Sequence, residues 1–360
     1  MVKNNGFNNK KPFTFAPFLW YNINKGECME YEKIKIYVTK RVAEILEKDA
    51  ETFEFLKKDG ITPNKNALLT ALILNYWNLF RQRQTDLGKL IKNVLRENTN
   101  FSDGKIKELS LQIASVVNKE IASDLVENFD SLVSLKPTKE SKPIIDFIET
   151  YLLENCSLSE YFRNMFVAYT ALPQDMREKI IFKANYTVLS EAIKNGKKVF
   201  ITIKGVNLSR LEISPYTFSR SKEEIHIYLL YKNKETCRSV KLARINSVTV
   251  LSEDAEFNNS DIGVFNKMLE YGAQFSYGKD EEDVVVKLTQ QGRNLFRKIY
   301  IHRPIPVSVE KDIFTFKCSH IQVIQYFSRF GGEVEIKSPQ VVKDAIYNFH
   351  NSYIEKNKKP

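Results

Sequence analysis

The most constraining feature of this chain is a segment, residues 63–80, that would be apolar on every side of a helix. Thr62 and Pro63 are a good beginning for that helix, because threonine caps a helix and proline suits its first position. A helix that is apolar all round must be covered on every side. The small unit around it cannot supply that cover alone. The sequence therefore predicts that a second copy of the chain does so, in a homodimer.

An alternating run before this helix places Lys33, Lys35 and Tyr37 on one face of a short strand, opposite its apolar residues. Thr39 can cap the next helix, which is predicted over residues 40–58 and is followed by a glycine suited to a helix end. The order along the chain is therefore strand, helix, capped turn and helix.

This order resembles the ribbon-helix-helix family over residues 31–82, although the first helix is longer than is usual there. The resemblance implies an intertwined dimer, in which one strand from each copy pairs into an antiparallel ribbon. Its outward side chains, here Lys33, Lys35 and Tyr37, would contact nucleic acid in a groove. The residues leave a second interpretation open, in which the lysines only solvate a strand edge.

The rest of the chain divides by periodicity into three further units. Residues 83–183 have a helical pattern throughout and no motif with chemical content, which predicts a helical spacer. Residues 184–256 contain four or five short strands after a helix, which indicates a small antiparallel barrel or a strongly bent sheet. Residues 262–360 have the order β-α-β-β-α-β-α, which predicts a small layered α/β domain. The fold class is α+β.

The strand-rich unit resembles the WYL family. Residues 227–229, Ile-Tyr-Leu, stand where that family has Trp-Tyr-Leu, and residues 238–245 fit the arginine-containing strand that follows. Residues 214–216, Ser-Pro-Tyr, fit a proline-containing step upstream. Three family positions differ, and they are occupied here by Ile227, Val240 and Ala243. The resemblance implies an Sm-like barrel that senses nucleic acids or nucleotides, followed by a C-terminal extension that is a candidate dimer contact.

Within the WYL-like unit we predict nucleic-acid contacts at Tyr216, Tyr228, Arg238, Lys241 and Arg244. Arg238 and Arg244 share strand parity, so both guanidinium groups should project from one face, with Tyr228 on a neighbouring strand. A guanidinium group can grip phosphate and an aromatic ring can stack on a base. The alternative is that the arginines pair with acidic neighbours and Tyr228 fills the core.

The net charge and the composition indicate what kind of partner the chain binds. A net charge of +10 and a pI of about 9.1 favour polyanions. Residues 1–30 are rich in asparagine, lysine and aromatic residues, which predicts a flexible arm. The alternative is an arm whose rings dock on the body or stack on bases. No signal peptide and no run of about 20 apolar residues is present, so we expect a cytoplasmic protein without a membrane partner.

The sequence contains no pattern that is typical of an enzyme active site. The four cysteines and four histidines are scattered without metal-ligand spacing, and no phosphate loop or nucleophile motif occurs. The acidic run at residues 280–283 could imitate a carboxylate cluster, but such a run before a strand is more often a solvated loop. We therefore expect a non-enzyme that has no metal and no cofactor.

A ribbon-helix-helix head on a WYL core, in a chain rich in lysine and asparagine, resembles the WYL accessory proteins of type VI-D CRISPR systems. The resemblance implies binding to single-stranded RNA and positive modulation of an RNA-targeting effector nuclease. The alternative function is a dimeric, ligand-responsive transcription regulator whose ribbon binds DNA at a palindromic operator.

Overall fold

A computed structural model describes residues 32–122, 128–153, 156–205, 210–221, 223, 225–278 and 281–357. The predicted arm, residues 1–30, lies outside these residues. The described helices are α1 Lys40–Thr52, α2 Lys65–Asn98, α3 Asp103–Ala122, α4 Lys142–Tyr151, α5 Leu158–Thr170, α6 Gln174–Ile181, α7 Lys183–Lys194, α8 Asn259–Tyr271, α9 Gln290–Lys298, α10 His320–Phe327 and α11 Gln340–Lys356. The strands are β1 Ile34–Val38, β2 Ser131–Leu135, β3 Lys197–Ile203, β4 Leu211–Arg220, β5 Ile227–Asn233, β6 Thr236–Lys241, β7 Ile245–Asp254, β8 Val284–Leu288, β9 Ser308–Glu310, β10 Ile313–Phe316 and β11 Val334–Ser338.

The first strand pairs with another strand of the same chain. β1 pairs antiparallel with β2, with Ile36 opposite Val133. The prediction that β1 pairs with a strand of a second copy was therefore wrong, and so was a purely helical spacer. The physical reason is that β2 also alternates, with Val133 and Leu135 buried and Leu132 exposed, so it can share the core beneath β1.

The long helix α2 is also covered within the chain. Trp77 packs edge to face on Phe147 of α4, with ring centroids 5.6 Å apart, and Tyr76 packs on Tyr169 of α5 at 5.9 Å. The prediction that a second copy covers this helix was wrong, because helices of the predicted spacer share one core with β1, α1 and α2. The boundary predicted at residues 82 and 83 falls inside α2. The preceding helix, α1, ends at Thr52, before the predicted end at residue 58.

The middle of the chain forms a five-stranded antiparallel sheet with strand order β6-β5-β4-β3-β7. Among the described residues β6 and β7 do not pair with each other, so the sheet is open and the predicted closed barrel was wrong. The helix α7 packs on one face, where Leu189 joins the core, and α8 packs on the other, where Phe265 does. Both faces are therefore covered.

The last unit has the predicted order of strands and helices, β-α-β-β-α-β-α, which is confirmed. Its antiparallel sheet has the order β11-β8-β10-β9, and aromatic residues of α9 and α10 pack on one face. Phe296 and Phe327 stack there at 6.2 Å, beside Phe316. In the described parts of the chain, no helix is both long enough and apolar enough to cross a membrane.

Candidate nucleic-acid interface

The two-stranded ribbon presents an exposed face. Alternation turns Ile36 into the core, while Lys35 and Tyr37 point outward, opposite Ser134 and Leu132 of β2. Lys35 is exposed, and the side chains of Tyr37 and Leu132 keep 46% and 50% of their surface accessible. The predicted outward orientation of Lys35 and Tyr37 is confirmed. Lys33, just before β1, is also exposed. We call Lys33, Lys35, Tyr37 and Leu132 the ribbon face.

The helix α5 holds the other edge of β1 in place. Arg163 Nε donates a hydrogen bond of 2.6 Å to the carbonyl oxygen of Tyr37, and Ser159 Oγ donates one of 2.9 Å to that of Lys35. The Arg163 guanidinium group also lies over the ring of Phe129, 4.5 Å from its centroid. The half-exposed Arg163 and Phe129 add one more cationic group and one more aromatic ring to the ribbon face. Sequence reasoning missed both residues, because neither belongs to a periodic pattern or a motif.

The tyrosines predicted to stack on bases lie in the packing between the five-stranded sheet and α8. Tyr228 is only 6% exposed and joins the core on that face. The Tyr216 ring stacks on Phe265, with centroids 4.3 Å apart and planes 8° from parallel, and it also contacts Phe257. The prediction of a stacking platform here was wrong, because α8 covers the face on which these rings lie.

The basic residues predicted beside them do not converge. β6 ends at Lys241, and a short 3₁₀ helix, Leu242–Arg244, follows, which breaks the strand parity that was to align Arg238 with Arg244. Lys241 lies opposite Tyr228, on the α8 side, whereas Arg238 lies opposite Tyr231, on the α7 side. Arg238 is exposed, and its Nε donates to Thr236 Oγ1 at 3.2 Å. The predicted common face was wrong.

Arg244 joins the sheet to the end of α1. Its Nη2 donates to the Lys204 carbonyl oxygen at 3.1 Å, and its Nε lies 3.6 Å from Glu54 Oε2. The Lys204 ammonium group lies over the rings of Phe55 and Phe182, 5.2 and 5.3 Å from their centroids. Burial there lowers the pKa of Lys204, and the nearby Glu54 carboxylate opposes that shift. This arginine therefore acts as a structural contact between two units.

The described residues contain no group of three or more histidine, cysteine, aspartate or glutamate side chains that could hold a metal ion. Part of the acidic run at residues 280–283 lies outside them. Glu281 accepts a hydrogen bond from the backbone N–H of His320, at the beginning of α10. Burial raises the pKa of the Cys318 thiol to about 12, which keeps it protonated near neutral pH. Cys318 therefore lacks the thiolate character of a nucleophile.

No protein-family model matches this chain, and no match is found among curated proteins. Similarity is found among solved structures. A crystal structure described as that of a CRISPR Cas-related protein superposes with a TM-score of 0.59 at 19% sequence identity, covering 93% of this chain and 98% of that one. This chain shares the fold of that CRISPR Cas-related protein. The head, the middle sheet and the C-terminal layer thus recur together in another protein.

A second solved structure is that of proteasome accessory factor B/C (PafBC) of Arthrobacter aurescens. Its TM-score is 0.24 at 13% identity, and the match covers 65% of this chain and 38% of that one. A similarity this weak supports no conclusion about the fold.

Proposed function

We propose that this protein is a non-catalytic accessory protein of an RNA-targeting CRISPR system, that it binds single-stranded RNA and that it stimulates the effector nuclease. The observation that supports the CRISPR accessory role is the similarity in fold to a CRISPR Cas-related protein over 93% of this chain. The net charge of +10 supports a polyanionic partner.

The ribbon face is the proposed RNA site. Lys33, Lys35 and Arg163 would neutralise successive phosphates, and the exposed ring of Tyr37 would stack on an unpaired base. A ribbon made by one chain lacks the two-fold symmetry with which a dimeric ribbon matches a palindromic operator. This asymmetry favours a flexible single strand over duplex DNA. Arg238, exposed on β6, remains a secondary proposed contact.

The test is a fluorescence-anisotropy titration of the full chain with single-stranded RNA, single-stranded DNA and duplex DNA. Tyr37→Ala should weaken RNA binding about tenfold, because a stacked base contributes about 1–3 kcal/mol. Tyr37→Phe keeps the ring and should bind as the wild type does. Lys343→Ala removes an exposed charge from α11, outside the ribbon face, and should leave RNA affinity within about twofold. Tighter binding to duplex DNA, lost in Tyr37→Ala, would instead support the transcription regulator.

We also propose a homodimer formed through the C-terminal unit. β9 is an edge strand, and among the described residues it pairs only with β10. Val309 within this strand is 51% exposed, and the preceding residues Tyr300, Ile305 and Val307 expose between 46% and 68% of their surface. An apolar edge of this kind invites pairing with another strand.

A second copy fits this edge. A two-fold axis through Val309 would place Ser308 of one copy opposite Glu310 of the other, so that no like charges face each other. Light scattering should give twice the chain mass of 41.9 kDa, and Val309→Lys should restore the mass of one chain. A wild-type protein that stays at one chain mass would refute the dimer.

A further inference from the structure

A cleft of about 330 Å³ opens between α2 and α5, apart from every residue discussed so far as an RNA contact. Phe80 and Leu87 form its apolar wall on α2, and the small Ala168 on α5 leaves the space opposite them unfilled. Its polar groups include Arg83 and Asn164. The volume lies at the lower end of the range for small-molecule sites, so any occupant is small.

The Tyr76 hydroxyl makes this cleft unusual. Tyr76 is fully buried, and its ring packs on Phe80 at 6.2 Å and on Tyr169 at 5.9 Å. Among the described residues its Oη has no hydrogen-bond partner of ordinary geometry. Tyr76 and Arg83 both line the cleft. Burial raises the pKa of Tyr76, and the charge and side-chain contact of Arg83 oppose that shift. A buried hydroxyl without a partner costs about 1–3 kcal/mol, so the cleft contains a polar group that a ligand could satisfy.

We propose that this cleft binds one nucleotide, with the base against the apolar lining beside Leu87 and Ala168 and the phosphate at Arg83. The flat face of a base can lie on an apolar wall next to a small side chain. A guanidinium group recognises phosphate, and Arg83 lines the cleft. The Tyr76 hydroxyl and the Asn164 amide supply donors and acceptors for the base edge.

Two kinds of ligand supply a base next to a phosphate: a free nucleoside monophosphate and the phosphorylated end of an RNA strand. Only the second source rests on the proposed RNA-binding function. AMP, GMP, CMP and UMP are titrated by calorimetry into the full chain, each beside its nucleoside. RNA oligonucleotides with a 5′-phosphate or a 5′-hydroxyl are titrated in the same way. At least one nucleotide should bind, and its nucleoside should bind at least tenfold more weakly.

Three substitutions test the geometry. Arg83→Gln should remove the preference for nucleotide over nucleoside, whereas Lys89→Gln, which removes a charge from the same helix outside the cleft, should not. Ala168→Leu should fill the cleft and abolish binding. Tyr76→Phe should weaken binding about tenfold and leave the urea midpoint unchanged or higher, because it removes a hydroxyl that lacks a partner. This combination separates a ligand contact from a structural role.

Either of two results would overturn the proposal. One is that none of the four nucleotides binds at about 1 mM, the weakest range of specific affinity. The other is that binding is insensitive to Arg83→Gln. If Ala168→Leu fails to fold, the effect of Arg83→Gln on nucleotide binding is the deciding measurement. Tyr37→Ala should leave nucleotide binding intact, so a failure of the RNA-binding proposal is distinguishable from a failure of this one.

Discussion

Replacing Asp49 tests how the head of the molecule is held together. The carboxylate is 1% exposed and accepts two hydrogen bonds from Arg177, with Nε to Oδ2 at 2.7 Å and Nη2 to Oδ1 at 2.8 Å. The Tyr169 hydroxyl donates a third, at 2.9 Å. These bonds join α1, α5 and α6 in one core. Burial raises the pKa of Tyr169 well above its usual value, and the Asp49 carboxylate beside it adds to that shift.

Asp49→Ala would leave a buried guanidinium group without its counter-charge. Breaking one partner of a buried ion pair costs about 3–5 kcal/mol. We expect the lower half of that range, because Arg177 Nη1 keeps its hydrogen bond of 2.6 Å to the carbonyl oxygen of Leu172. Urea unfolding followed by circular dichroism measures the change in the free energy of unfolding, with the m-value checked for cooperativity.

The matched control is Asp146→Ala, which removes a half-exposed carboxylate that pairs with Lys142 on the surface of α4. Surface ion pairs contribute about 0–1 kcal/mol, so this variant should unfold close to the wild type. A cost for Asp49→Ala of less than about 1 kcal/mol would mean that the buried pair contributes no more than a surface pair, contrary to this prediction.

Arg244→Ala should leave RNA affinity within about twofold, because Arg244 does not face the ribbon; fluorescence anisotropy measures this. The same variant should lower the free energy of unfolding by no more than about 1 kcal/mol in urea, because the pair with Glu54 that joins the two units is partly exposed. Burial raises the pKa of Tyr161 to about 12, above its usual value of 10.0. The folded chain therefore keeps a proton that the unfolded chain loses, so stability should fall between about pH 10 and 12 in unfolding experiments.

Local periodicity was enough to predict part of this fold. The outward orientation of Lys35 and Tyr37 follows from alternation within five residues, and the order of elements in the C-terminal unit follows from patterns of similar length. The partner of β1 did not follow, because β2 is a short strand within a stretch of helical character, almost a hundred residues away. Which segment covers α2 is likewise a tertiary property that its own apolar pattern does not specify.

The predicted site in the middle sheet failed for a related reason. Strand parity relates Arg238 to Arg244 only while the strand continues, and the 3₁₀ turn after Lys241 ends that relation. Tyr228 has the residue type of a stacking platform, but whether a helix covers its face depends on α8, which comes later in the chain. A motif fixes residue types and spacing, whereas exposure depends on distant segments.

The salt dependence of RNA affinity measures how many phosphates the ribbon face contacts. For single strands, each phosphate contact contributes about 0.7 to the slope of log affinity against log salt concentration. If the ribbon face binds RNA, a variant carrying both Lys33→Ala and Lys35→Ala should bind more weakly, with a slope shallower by about 1.4 than that of the wild type. An unchanged slope and affinity in this variant would contradict the account, because the RNA would then contact some other surface.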